Sequence, residues 1–303
     1  EIILSATILL IIMLDLLAQS RRWPAALALV GCLCALIVSF DLYSAQPGLL
    51  FHRMIVLDNF SIFFKVFSLA ATILCILMSM GSKEIDRVHE AEYYALLLTC
   101  TLGMFFMASS SNLLMAYLSL EMVSLGSYVL TGFLPHSRRS SEAALKYLIY
   151  GGVASGTMIY GMSWIFGMTG SLDYAAIQVA LSQEGLNKAA LFMAFIFILA
   201  GFGYKIVFFP FHMWSPDVYQ GAPTPTTAFL AVGSKAAGFI LLLRFLFSAI
   251  PDVTAHWQNL LIVSSGITIL YGNLCAIPQR NLKRLLGYSS IAHAGYLLLG
   301  VAA

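Results

Sequence analysis

Glu121, Lys146, Lys205 and Lys235 each fall in a different long apolar segment, one carboxylate followed along the chain by three amines. A charged side chain at the centre of a bilayer costs ~2.5–3.5 kcal/mol on insertion scales, so such residues face a bundle interior or a wet cavity. Carboxylates and amines in such a cavity can take up and release protons, so proton handling is the expected chemistry. Glu121 is the only mid-span carboxylate, so static pairing cannot neutralise all three amines. A fixed Glu121–Lys146 pair between two helices stays open beside a functional one. His293 and His212 are read either as relays or as packed core histidines. Lys65 and Arg244 are expected nearer helix ends, where a long stem reaches the interface.

The elements that must position these residues are apolar helices. Of 303 residues, 60% are hydrophobic and only 10% charged, with a mean hydropathy of +0.88. A crossing helix needs ~20 mostly apolar residues. That unit predicts about ten spans: 1–18, 23–40, 60–80, 91–108, 112–134, 141–168, 186–208, 224–250, 256–277 and 282–302. A spanning β-barrel would alternate polar and apolar residues. The runs here are unbroken, so the class is an all-α polytopic membrane protein.

The first, third, fifth, seventh and ninth loops carry Arg21, Arg22, Lys83, Arg87, Arg138, Arg139, Arg280, Lys283 and Arg284; the others carry Arg53 and Lys188. Nine against two places the odd loops on the cytoplasmic or equivalent side and the N-terminus opposite. The net charge of +2 is dispersed, which excludes a nucleic-acid partner. Cys32, Cys34, Cys75, Cys100 and Cys275 lack any ligand spacing and read as small buried hydrophobes. No metal, haem or nucleotide motif is visible, so redox chemistry belongs on other chains. Glu1 opens inside an apolar run and Ala303 lies inside the tenth span. Part of a longer protein, or a split gene, is expected.

Gly201-Phe-Gly-Tyr-Lys-Ile-Val-Phe-Phe-Pro-Phe-His-Met-Trp-Ser-Pro-Asp-Val-Tyr-Gln-Gly-Ala-Pro-Thr-Pro225 is the most distinctive stretch. Pro210 lacks an amide donor and crowds the carbonyl four residues earlier, so the seventh span is expected to break there. Broken helices at membrane depth line cavities or are buried in protein, and transporters place ion sites at them. Gly152-Val-Ala-Ser-Gly156 has the spacing that lets two helices approach.

Five motifs together carry a resemblance: Leu118-Ser-Leu-Glu-Met-Val-Ser-Leu-Gly-Ser-Tyr-Val-Leu-Thr-Gly132, Glu142-Ala-Ala-Leu-Lys-Tyr147, the Lys205 to Pro225 stretch, Ser234-Lys-Ala-Ala-Gly238 and Asn281-Leu-Lys-Arg-Leu-Leu-Gly-Tyr-Ser-Ser-Ile-Ala-His-Ala-Gly-Tyr296. From about residue 58 onward the chain resembles the antiporter-like membrane subunits of respiratory complex I, NADH:quinone oxidoreductase. Within them it is most similar to the NuoN type, called subunit 2 in mitochondria and NdhB in photosynthetic complexes. The resemblance implies five-helix units, inverted relative to one another, each with a broken helix and half a proton channel. Residues 1–90 would then be three N-terminal helices, 91–250 the first unit with its broken seventh helix, and 251–303 the start of a truncated second unit.

The resemblance also implies roles. Glu121 would pair with Lys205 and tune its proton affinity, and Lys146 would be an alternative partner of Glu121. Lys235 would be the central lysine that passes protons onward, and His293 would extend that axis. No catalytic, cofactor-binding or metal-binding residue is expected on the chain. NADH, FMN, iron–sulfur clusters and quinone are expected on partner subunits of the membrane-embedded complex, with lipids around it. A multisubunit cation/proton antiporter, a non-conducting membrane scaffold and a membrane-bound hydrogenase subunit are the alternatives.

Overall fold

The computed structural model describes residues 1–17, 23–44, 46–85, 89–182, 187–250 and 254–303, with side chains in the last stretch from Trp257. Arg21, Arg22 and Arg87 of the basic loops lie outside the described residues. The helices are α1 (Ile2–Leu17), α2 (Trp23–Asp41), α3 (Asn59–Met80), α4 (Glu90–Ser109), α5 (Leu113–Thr131), α6 (Arg138–Thr169), α7 (Tyr174–Leu181), α8 (Lys188–Ile206), α9 (Ser215–Gly221), α10 (Thr224–Phe229), α11 (Lys235–Ala249), α12 (Thr254–Ala276) and α13 (Leu282–Ala302). Each of the ten expected spans coincides with a helix to within a few residues, α10 and α11 forming one continuous span.

Eight described helices are long and apolar enough to cross a membrane. α1, with 16 residues, is shorter. α6 runs 32 residues, but its first turns carry Arg138, Arg139, Glu142 and Lys146. Large apolar side chains such as Leu145, Ile149 and Val153 cover its outer face, as lipid contact requires.

Two elements were not foreseen. Strands β1 (Gly48–Leu50) and β2 (Ile55–Leu57) form an antiparallel hairpin between α2 and α3, and α7 is a short helix before α8. Asp58 starts α3 with a reciprocal capping box, its carboxylate accepting from the Ser61 amide at 2.7 Å while the Asp58 amide donates to Ser61 Oγ.

α4 is apolar on nearly every side and buried accordingly, as a helix in the middle of a bundle must be. It packs against α3, α5, α1 and α11. α6 and α8 cross at glycines: a Cβ on Gly161 would lie 2.7 Å from Ala194 O and 2.9 Å from Ile198 N. The expected Gly152/Gly156 approach is corrected. Both are exposed with nothing near them. Gly151, Ala154, Met158 and Gly161 make the buried face instead.

The clamp on the odd-loop side is electrostatic. Glu84 accepts from the Thr224 amide at 2.5 Å and from its hydroxyl at 3.0 Å, and Lys283 Nζ lies 3.6 Å away. Burial raises the Glu84 carboxyl, but the Thr224 bonds and Lys283 outweigh this and hold it below its ordinary value. A carboxyl titrating lower when folded than unfolded stabilises fully above the unfolded value. That contribution is lost as pH falls through the folded one. Glu84→Gln is expected to cost ~1 kcal/mol at neutral pH, discounted because the side chain is over a third exposed. Thermal denaturation against pH should show the wild-type advantage vanishing in acid.

Candidate functional site

Pro210 breaks the seventh span where its ring demands it. The carbonyl it would crowd belongs to Ile206, and α8 ends at Ile206. Val207 then turns left-handed at φ 74°, which costs a β-branched residue of order ~1–3 kcal/mol. The freed backbone groups find partners nearby. Trp214 Nε1 donates to Tyr204 O at 3.1 Å, and Phe209 N donates to Thr268 Oγ1 of α12 at 2.9 Å. α9 follows the break as a short buried helix.

Lys205 occupies the last turn of α8 and is 2% exposed. Its amine donates to Ser124 Oγ at 3.3 Å, and Ser124 stands one turn from Glu121 on α5. Glu121 Oε1 is buried with no hydrogen-bond partner among the described residues. The expected Glu121–Lys205 pair is therefore close but not a direct ion pair. The Ser124 hydroxyl, one turn from Glu121 on α5, is the group that Lys205 meets instead.

Lys235 is 5% exposed and follows a π-helical turn, Leu230–Ser234, within the eighth span. Such turns re-aim the next side chain and recur at functional sites. Its amine donates to Ser290 O at 2.6 Å and to Ser290 Oγ. One turn on, Gly238 lets the Lys205 stem lie against α11, since a Cβ there would sit 3.1 Å from Lys205 Cγ. The two lysines thus lie on touching helices. Neither has a carboxylate within ion-pair distance among the described residues.

Two expected placements need correction. Lys146 is half-exposed near the start of α6 and bonds Asp217 Oδ2 at 2.7 Å and Glu142 Oε1 at 2.8 Å. It does not reach Glu121. Asp217 also binds Arg284 of α13, so one carboxylate ties α6, α9 and α13 together. Together with Arg139 and Gln220 these residues line a cavity of about 290 Å³. His293 lies on the outer face of α13, exposed, with the Tyr296 ring 6.0 Å away. Ser290, one turn earlier, is the α13 residue that meets Lys235.

Tyr147, next to Lys146 in the chain, and Tyr204, next to Lys205, belong to one cluster of four aromatic side chains. Tyr147 stacks on Trp214 at 4.2 Å and meets Tyr128 edge-on at 4.8 Å. Tyr204 donates to Tyr147 O at 2.9 Å and lies 3.4 Å from Tyr128 Oη. Away from the site, Lys65 lies near the start of α3, buried, and its amine pairs with Glu1 at the start of α1 at 2.7 Å. Arg244 binds Asp58, the cap of α3, at 2.6 Å. Cys32, Cys75 and Cys100 are buried as expected, whereas Cys34 is exposed on α2.

Asp217, Ser124 and Ser290 escaped the sequence reading. Asp217 stood in the quoted stretch, directly after Pro216, and its partners lie 71 and 67 residues away. The hydroxyls looked like ordinary helix residues.

Comparison with known proteins places this architecture. The family described as NADH:quinone oxidoreductase/Mrp antiporter, TM, matches residues 110–303. An NADH-quinone oxidoreductase subunit N of Chlorobium chlorochromatii is 45% identical over 313 aligned residues, covering 99% of this chain and 61% of that protein. The chain thus spans about three fifths of the length of that relative. In respiratory complex I from Thermus thermophilus with bound aureothin, one chain superposes with a TM-score of 0.83 at 32% identity, over 99% of this chain and 63% of that one. A chain of the Mrp complex from Dietzia shares the fold, with a TM-score of 0.85 at 19% identity over 99% of this chain and 58% of that one. The broken helix, the buried lysines and these matches agree: the chain belongs to the NADH:quinone oxidoreductase/Mrp antiporter transmembrane family.

Proposed function

We propose that this chain supplies part of the proton-translocating membrane arm of an NADH:quinone oxidoreductase. The observation that carries the reading is the pair of buried amines, Lys205 and Lys235, held by a hydroxyl and by the oxygens of one serine instead of by carboxylates. A buried amine without a fixed counter-charge is costly to keep charged. A negative charge that approaches or withdraws can therefore load or unload it. Glu121, one turn from the Ser124 that holds Lys205, is the group placed to do so.

On this reading protons move from the Asp217–Lys146 side past the tyrosine layer to Lys205, and then to Lys235 on the touching helix. Lys146 serves the surface end of that route, and His293 lies where a neighbouring chain can meet it. Residues 91–250 act as one antiporter-like unit, with residues 251–303 opening the next. The basic odd-numbered loops face the cytoplasm or its organelle equivalent, and the N-terminus faces the opposite side. NADH, FMN, iron–sulfur clusters and quinone act on partner subunits, whose electron transfer drives this chain. The family takes in both kinds of protein, and the name of the 45%-identical relative supports this membrane arm over a cation/proton antiporter, since the Mrp chain is only 19% identical.

Purification of the full-length protein with its native partners tests this reading. Co-purification of NADH-oxidising subunits, with quinone reduction that acidifies one side of reconstituted vesicles, is expected. Co-purification with antiporter subunits alone, and sodium/proton exchange without NADH oxidation, would refute it.

A further inference from the structure

α9 and the turn before it carry more polar chemistry than bridging the break requires. His212, Ser215 and Tyr219 are spaced as one face of a helix, and the turn already winds, since Ser215 N donates to His212 O at 3.1 Å. α13 packs close against this short helix. A Cβ on Gly287 would lie 3.1 Å from Pro216 Cα and 3.6 Å from Tyr219 Cβ. His212 and Tyr219 are each 1% exposed and Ser215 is fully buried.

At one end the face joins the central lysine directly. Tyr219 Oη lies 3.2 Å from Ser290 Oγ, and Ser290 receives the Lys235 amine on both of its oxygens. At the other end Ser215 Oγ and both ring nitrogens of His212 have no hydrogen-bond partner among the described residues. A buried polar atom left dry costs ~1–3 kcal/mol. Three such atoms on one face call for bridging water. The imidazole itself is held by rings, Tyr271 at 4.2 Å and Phe209 at 5.6 Å. Its position is fixed while its nitrogens stay open.

We infer that Lys235 exchanges its proton with His212 through Ser290, Tyr219 and Ser215, with water bridging along α9. The inference rests on the proton-conducting reading above and adds a branch towards α12. Protonated Lys235 gives a proton to Ser290 Oγ as the Ser290 hydroxyl proton moves to Tyr219 Oη. The phenol proton of Tyr219 passes through water and the Ser215 hydroxyl to a ring nitrogen of His212. Only N–H and O–H bonds form and break. The products are a neutral amine and an imidazolium, and the reverse transfer resets the chain.

The test uses the full-length protein assembled with its native partners in vesicles, reading protons translocated per electron. Tyr219→Phe removes only the hydroxyl, Ser290→Ala breaks the contact to Lys235, and His212→Asn removes the acceptor. Each is expected to lose at least half of what Lys235→Met loses, and Ser290→Thr, which keeps a hydroxyl, is expected to retain the wild-type ratio. NADH oxidation by ferricyanide reports assembly in every variant. A wild-type ratio in assembled Tyr219→Phe, beside a loss in Lys235→Met, would overturn the branch while leaving the conducting reading in place. No loss in assembled Lys235→Met would overturn both.

Discussion

Lys235→Met is expected to slow proton transfer through this chain by roughly 10²–10⁴-fold, the usual effect of removing a side chain that carries a proton in the slow step. Met matches the length and apolar stem of Lys but holds no proton. Lys235 is nearly buried and, among the described residues, bonds only Ser290, through its carbonyl and its hydroxyl. Replacing the amine leaves those oxygens to Tyr219 and to water, so the fold is retained. Removing an unpaired buried charge is not expected to lower stability. The check is the initial rate of NADH-driven acidification in vesicles, normalised to ferricyanide reduction.

Gly161→Leu is expected to have the largest effect on folding, about 3 kcal/mol or more. A Cβ alone would stand 2.7 Å from a backbone oxygen and 2.9 Å from a backbone nitrogen of α8. Backbone cannot rotate out of the way as a side chain can, so α6 and α8 must separate. Lys205 sits at the end of α8, and the tyrosine layer spans the same pair of helices. Gly156→Leu on the same helix meets nothing within 4 Å and is expected to be neutral. Thermal denaturation in detergent should separate the two variants clearly.

That contrast marks where the sequence was legible and where it was not. Unbroken apolar runs place all ten spans, because length and hydropathy are local properties. Pro210 places the break, because a proline acts on the carbonyl four residues before it. Which face of α6 meets α8 depends on a partner helix, so the regular Gly152/Gly156 spacing misled while Gly151 and Gly161 made the contact. Depth was similarly hidden. Lys146 sits in an apolar-looking segment, yet α6 extends beyond the span and puts its amine beside Asp217 in a surface cavity. Lys205 and Lys235 were legible as buried because apolar residues surround them on both sides. Their partners, Ser124 and Ser290, were not, because a serine in a helix gives no sign of what it faces. His293 shows the same limit, since its helix turns it outward.

On the proposed reading, the branch along α9 gives Lys235 two neighbours with which to trade protons. The Lys205 stem lies against Gly238, one turn from Lys235 on α11, and Tyr219 reaches Lys235 through Ser290. A lysine at such a junction must release its proton in one direction at a time.

On the proposed reading, protons pass through Lys205. The most direct measurement is the number of protons translocated per electron by vesicles holding the full-length Lys205→Met protein in its native assembly. Loss of proton translocation with ferricyanide reduction intact is the predicted result. A wild-type ratio in a fully assembled variant would contradict the account.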